Sequence, residues 1–185
     1  MQRMITLCVL LLASTLIFAD NNPRYGEQLF EAHLLNNPIP SIHALDDTIT
    51  LEGAYDIQRD YVNLRAKIDP IAGYKAGLTA TALQTKFNVP SPLAGTLFRS
   101  GQRSPNTVIS LQSFKKAKIE TEIGYLFKDR ITAPLSDTQA LADLLYAVVP
   151  VIELPDLGFK EPPIHGVDLI AYNIASHSFI LGEPI

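Results

Sequence analysis

The sequence predicts a mixed α+β chain with a helical N-terminal third. Three observations carry this. Apolar residues recur at helical spacing around residues 51–61, and residues 117–128 alternate strictly, as a strand does. Thirteen prolines in 185 residues enforce short elements and many turns rather than a helical bundle. With 47% hydrophobic and 18% charged residues, the chain is no disordered polar tail and has room for one sizeable core. Fifteen Lys and Arg against nineteen Asp and Glu give a net charge of −4. Without a basic block to neutralise phosphates, nucleic acid is not an expected partner. Trp is absent and Cys occurs once, which excludes a disulfide framework and a Cys zinc site.

The elements follow in order. Met1-Gln2-Arg3 precedes an apolar run from Met4 to Ala19, which polar Asp20-Asn21-Asn22-Pro23 ends. This is a secretory signal pattern, shorter than the roughly 20 residues a spanning helix needs. Cleavage after Ala19 is expected. It would remove Cys8, leave a thiol-free chain of net charge −5, and place it in the periplasm or outside the cell, with no membrane association. The organisation read from this is a signal peptide over 1–19, a helical region over 20–68 and a mixed region over 69–185.

Residues 24–33 read as a short helix broken by Asn36-Asn37-Pro38-Ile39-Pro40, and 41–47 as a loop. Thr48 or Thr50 can cap a second helix through Val62, with Leu51, Ala54, Ile57 and Tyr61 on one face. Gly73 to Thr79 is a Gly-bounded strand, and 79–87 a short helix. The Pro-, Gly- and Ser-rich stretch 88–107 reads as a loop, and 107–111 as strand-like. After the alternating 117–128 strand, Ser136 opens a helix that Pro150 stops. Val151 to Leu154 is then a short strand, and Asp168 to Leu181 another apolar element.

Glu120, Glu122 and Glu153 are the most informative constellation. Residues i and i+2 of a strand share a face, which sets Glu120 and Glu122 roughly 6–7 Å apart. Their surroundings are apolar, so the strand is expected to be buried in part, and adjacent anions there repel unless a cation lies between them. Glu153 interrupts a second hydrophobic run. Three carboxylates on apolar strands suit a hard dication such as Mg²⁺, Mn²⁺ or Ca²⁺. The pattern alone equally fits two glutamates on a solvated strand face and a third at a helix–strand corner.

Lys75 lies between Gly73 and Gly77, which permit close backbone approach. It suits a cation over a small anionic substrate, or equally a surface lysine on an edge strand. His33, His43, His165 and His177 have no ligand spacing; His43 and His165 sit in loops that could reach a pocket. Ser91, Ser100 and Ser104 lack a nucleophile-elbow context, and phosphate-cradling glycine loops are missing.

The order of motifs now becomes informative: Ala54-Tyr55-Asp56-Ile57-Gln58, Gly73-Tyr74-Lys75-Ala76-Gly77-Leu78-Thr79, Ile119-Glu120-Thr121-Glu122-Ile123-Gly124, Pro150-Val151-Ile152-Glu153, and Asp168 to Asn173 with Leu181-Gly182. With Glu153 following Glu122 by 31 positions, this resembles the 2-keto-4-pentenoate hydratase and 4-oxalocrotonate decarboxylase branch of the fumarylacetoacetate hydrolase superfamily, over about residues 25–182.

The resemblance implies a mixed β-roll following the helical region, with 69–185 as a partial catalytic domain incomplete at the C-terminus, and a metal-dependent lyase. Glu120, Glu122 and Glu153 would hold Mg²⁺ or Mn²⁺, with Lys75 as the catalytic cation. Gly77, Leu78 and Thr79 would cradle the substrate carboxylate, with Gln58 and Ser176 on the pocket wall. The implied activity is hydration of a 2-hydroxypenta-2,4-dienoate-type substrate, and the implied assembly a homo-oligomer. The same features admit 2-oxo acid decarboxylation, or a noncatalytic remnant or partner subunit. Two departures stand out. Gly158 replaces the family's Arg two residues after Asp156, and Tyr172-Asn173 stands where the family favours Asp-Asn.

Overall fold

The computed structural model describes residues 24–160 and 164–185. The signal-peptide reading of 1–19 lies outside the described residues. Three helices open the fold: α1 (Tyr25–Leu34), α2 (Ile42–Leu45) and α3 (Leu51–Ala66). Each begins or crosses where its sequence provides for it. The Ser41 hydroxyl accepts from Ala44 N–H at 3.1 Å and the Thr50 hydroxyl from Gly53 N–H at 3.1 Å, satisfying donors left free at the two N-termini. Gly26 lets α1 press on α3, since a Cβ there would stand 2.7 Å from that of Asp60.

Two small sheets follow. Strands β1 (Ile71–Gly77) and β2 (Leu93–Phe98) form an antiparallel pair flanking α4 (Thr81–Phe87). The second sheet comprises β3 (Gln102–Arg103), β4 (Glu120–Phe127), β5 (Leu145–Leu154) and β6 (Ser178–Leu181), in the order β3-β6-β5-β4. Helices α5 (Thr138–Asp143) and α6 (Gly166–Ala171) precede β5 and β6. Leu29, Ile42, Ala54, Tyr61 and Ile170 are all at most 1% exposed, so the core joins α1–α3 to α6 from the far end of the chain. The mixed α+β expectation holds. Among the described residues, no helix is long and apolar enough to cross a membrane.

Several element expectations give way. The 88–107 stretch is not all loop, because Leu93–Phe98 is a strand with Leu93, Gly95, Thr96 and Phe98 buried. Its short apolar run is hidden between turn-forming neighbours, and pairing with β1 decides it. No strand forms over 107–111; a 3₁₀ turn occupies Leu111–Ser113. The helix expected from Ser136 to Pro150 ends at Asp143, since β4 recruits the following residues, pairing Phe127 with Leu145 and Tyr125 with Val148. Tertiary pairing here overrides helical spacing. The faces of β4 also depart from expectation. Ile123 and Tyr125 are 63% and 56% exposed, while Glu122, Gly124 and Leu126 on the other face are half-buried.

Candidate metal centre

Register builds the site. Antiparallel pairing sets Glu120 of β4 directly opposite Glu153 of β5, and alternation puts Glu122 on the same face. One carboxylate oxygen from each lies within 4.8 Å of the others. The cluster is graded from outside to inside: Glu120 is exposed, Glu122 half-buried and Glu153 2% exposed. Burial raises the Glu122 and Glu153 carboxyls above the usual range, against the opposing pull of the Lys75 ammonium.

Lys75 enters from β1. Its side chain is 4% exposed and its Nζ donates to Glu153 Oε1 at 2.5 Å, an ion pair that spans the two sheets. The approach needs glycine on the neighbouring strand. A Cβ at Gly95, the cross-strand partner of Lys75, would sit 3.1 Å from the Lys75 Cγ and 3.2 Å from the Asn173 carbonyl. A Cβ at Gly77 would meet Ile174 at 2.5 Å, while one at Gly73 would only make ordinary van der Waals contact with Leu97 at 4.0 Å.

Glu153 Oε2 is buried and has no hydrogen-bond partner among the described residues. An unsatisfied buried carboxylate oxygen costs heavily unless a cation meets it. Three carboxylates and one ammonium leave two negative charges, the complement of a divalent ion, and an all-oxygen donor set suits a hard one. The residues therefore fit Mg²⁺ or a similar dication.

The other expected site residues have varied surroundings. Leu78 adopts left-handed backbone with φ 54°, and its carbonyl accepts from the Gln84 amide at 2.9 Å. Thr79 follows it as the chain approaches α4. Gln58 donates to the carbonyls of Ala94 at 3.0 Å and Ile170 at 2.9 Å, tying β2 to α6. Ser176 is 8% exposed, just past a left-handed run of Asn173, Ile174 and Ala175, all with φ between 52° and 53°. A β-branched residue in that region is strained.

Three buried polar residues that sequence reasoning did not assign to the site hold it in place. The Asn173 side chain accepts from Thr96 N–H at 2.7 Å and donates to Thr96 O at 2.8 Å, clasping β2 in strand-like fashion. Asp156 accepts from the amides of Lys115 and Lys116, at 3.0 and 2.6 Å, fixing the approach to β4 against the end of β5. Asp168 accepts from Ser41 Oγ, His43 N–H and His165 N–H, joining α2 to the start of α6. No periodic pattern marks such anchors; a lone acid or amide within an apolar run is the only signal. At Gly158 a Cβ would stand 2.5 Å from the Lys115 side chain, so the close packing of that lysine needs glycine there.

No protein-family model matches the chain. Among curated proteins, 2-keto-4-pentenoate hydratase of Burkholderia vietnamiensis (strain G4 / LMG 22486) is 32% identical over 134 residues, spanning 70% of this chain and 50% of that protein. The same-named enzyme of Paraburkholderia xenovorans (strain LB400) is 26% identical over 161 residues, spanning 85% and 59% respectively. The chain is homologous to the 2-keto-4-pentenoate hydratases and 4-oxalocrotonate decarboxylases. It spans some half to three-fifths of the length of these two curated relatives. Among solved structures, 4-oxalocrotonate decarboxylase from Pseudomonas putida G7, complexed with magnesium and adipate, superposes with a TM-score of 0.77 at 24% identity. That match covers 85% of this chain and 60% of the other, and shows the shared fold.

Proposed function

We propose that the chain carries the metal-binding part of a lyase that hydrates 2-hydroxypenta-2,4-dienoate-type acids. The observation that carries this reading is the convergence of Glu120, Glu122 and Glu153 oxygens within 4.8 Å, one buried Glu153 oxygen being left without a partner among the described residues. Support comes from the curated hydratases that the sequence matches and from the magnesium in the structurally similar decarboxylase. Glu120, Glu122 and Glu153 would hold Mg²⁺ or Mn²⁺. Bound there, the ion supplies Lewis-acid stabilisation of negative charge on a 2-oxo acid.

The chain's own residues do the rest. Glu153 and Glu122, drawn out of water by burial, offer carboxylate oxygens whose charge a bound cation would offset. Lys75 holds a proton at Nζ, 2.5 Å from Glu153 Oε1, and adds a positive charge beside the position where substrate charge develops. Gly77 ends the strand of Lys75, Leu78 follows it in left-handed backbone, and these two with Thr79 would cradle the substrate carboxylate. Export to the periplasm or beyond rests on the Met4–Ala19 run, and N-terminal sequencing of the recovered protein tests it.

The decisive experiment follows the dienoate absorbance of 2-hydroxypenta-2,4-dienoate with purified protein, with and without Mg²⁺ or Mn²⁺. Metal-dependent loss is expected, together with loss of cation uptake in Glu120→Ala. Absence of cation uptake by the folded wild type overturns the reading. Metal-dependent release of CO₂ from 4-oxalocrotonate, without hydration, would replace it with the decarboxylase reading suggested by relatives of that name.

A further inference from the structure

We propose that Lys75 sets the cation preference of the site by reserving one oxygen of Glu153, so that this ligand offers the ion a single oxygen. The proposal rests on the metal-binding reading above and deepens it. The two oxygens of Glu153 have different fates: Oε1 accepts from Lys75 Nζ at 2.5 Å, whereas Oε2 is buried without a partner among the described residues. Lys75 has little freedom to withdraw. Its side chain is 4% exposed, and its stem lies over Gly95, where even one methyl group would stand 3.1 Å from Cγ. Oε1 is therefore committed to an ammonium held by the β1–β2 pair.

The consequence differs between dications. Mg²⁺ is small, demands octahedral geometry and takes carboxylates through one oxygen each, keeping several waters. Ca²⁺ takes six to eight oxygens and commonly draws both from one carboxylate. Glu153 is the innermost of the three ligands, and Glu120 the outermost and most exposed. A Glu153 restricted to one oxygen thus penalises calcium at the position where water can least make up the missing donor, and leaves magnesium or manganese unaffected. Lys75 acts here through Glu153, as a positioning residue for the ion.

Calorimetric titration of the wild type and Lys75→Met with MgCl₂ and with CaCl₂ tests this. Removing a positive charge tightens both ions, so the readout is the ratio of the two dissociation constants. The expected result is a shift of that ratio towards calcium by about tenfold in Lys75→Met, as a second oxygen becomes available. An unchanged ratio overturns the inference while leaving the metal-binding reading intact; failure of the wild type to take up either ion overturns both. A crystal of the wild type soaked in CaCl₂ reads the same point without any variant. Lys75 still on Oε1, with one Glu153 oxygen on calcium, supports the inference, and both oxygens on calcium overturn it.

Discussion

Lys75 and Glu153 are each buried because the other is, and the energetics of the pair follow from that. Removing one partner leaves a charge in a low-polarity wall, so Lys75→Met or Glu153→Leu alone should cost about 3–5 kcal/mol in urea unfolding without added metal. The double replacement Lys75→Met with Glu153→Leu removes both charges and should recover most of that loss, a coupling that a double-mutant cycle reads directly. Glu120 behaves differently. It is exposed, so Glu120→Ala should shift stability by no more than about 0.5 kcal/mol while abolishing cation uptake. Its alignment with Glu122 is visible in the sequence, because strand alternation is local. Its position opposite Glu153 is not, because that depends on where β5 begins.

A second residue-scale prediction concerns acid stability. Burial, reinforced by the Arg65 charge, lowers the His33 imidazole from 6.5 to about 4. Its ring meets Tyr172 Oη at 3.3 Å. The folded state thus resists the proton that the unfolded chain accepts. This contribution is fully present above pH 6.5 and is lost as pH falls from 6.5 towards 4, amounting to about 2–3 kcal/mol. Urea midpoints measured from pH 7 to pH 4.5 should fall more steeply for the wild type than for His33→Phe. Parallel curves would show that His33 is not the responsible group.

At the scale of elements, the site depends on how the β1–β2 pair is held to the rest. Asn173 does this through both main-chain groups of Thr96, and it does so from a left-handed backbone that asparagine tolerates better than most residues. Asn173→Ala leaves two buried main-chain groups unpaired and keeps the backbone strain, for a cost of about 3–5 kcal/mol. Thermal unfolding should shift down by roughly 10 °C. An unchanged midpoint would mean that water replaces the amide without loss. The α3 helix was legible from Leu51, Ala54, Ile57 and Tyr61 because its packing face repeats every turn. The β2 strand and the true start of β5 were not. Leu93–Phe98 is too short to show a period, and Leu144, Leu145 and Val148 satisfy helical spacing until β4 claims the last two.

At the scale of the whole molecule, the sheet that carries the glutamates has two unlike faces. The inner one gathers the carboxylates, whereas the outer one presents Ile123, Tyr125 and Ile152 at 63%, 56% and 43% exposure. Cross-strand register makes this a continuous surface, since Thr121 faces Ile152 and Tyr125 faces Val148. Apolar surface left in contact with water binds hydrophobic dyes. Folded protein should therefore enhance the fluorescence of 8-anilinonaphthalene-1-sulfonate, and the paired replacement Ile123→Lys with Tyr125→Lys should remove at least half of the signal. Neither side chain packs into the core, so the variant should unfold within about 1 kcal/mol of the wild type. Full dye binding retained by a folded double variant would place the responsive surface elsewhere, and loss of cation binding in the same variant would mean that the two faces of β4 are coupled through its backbone.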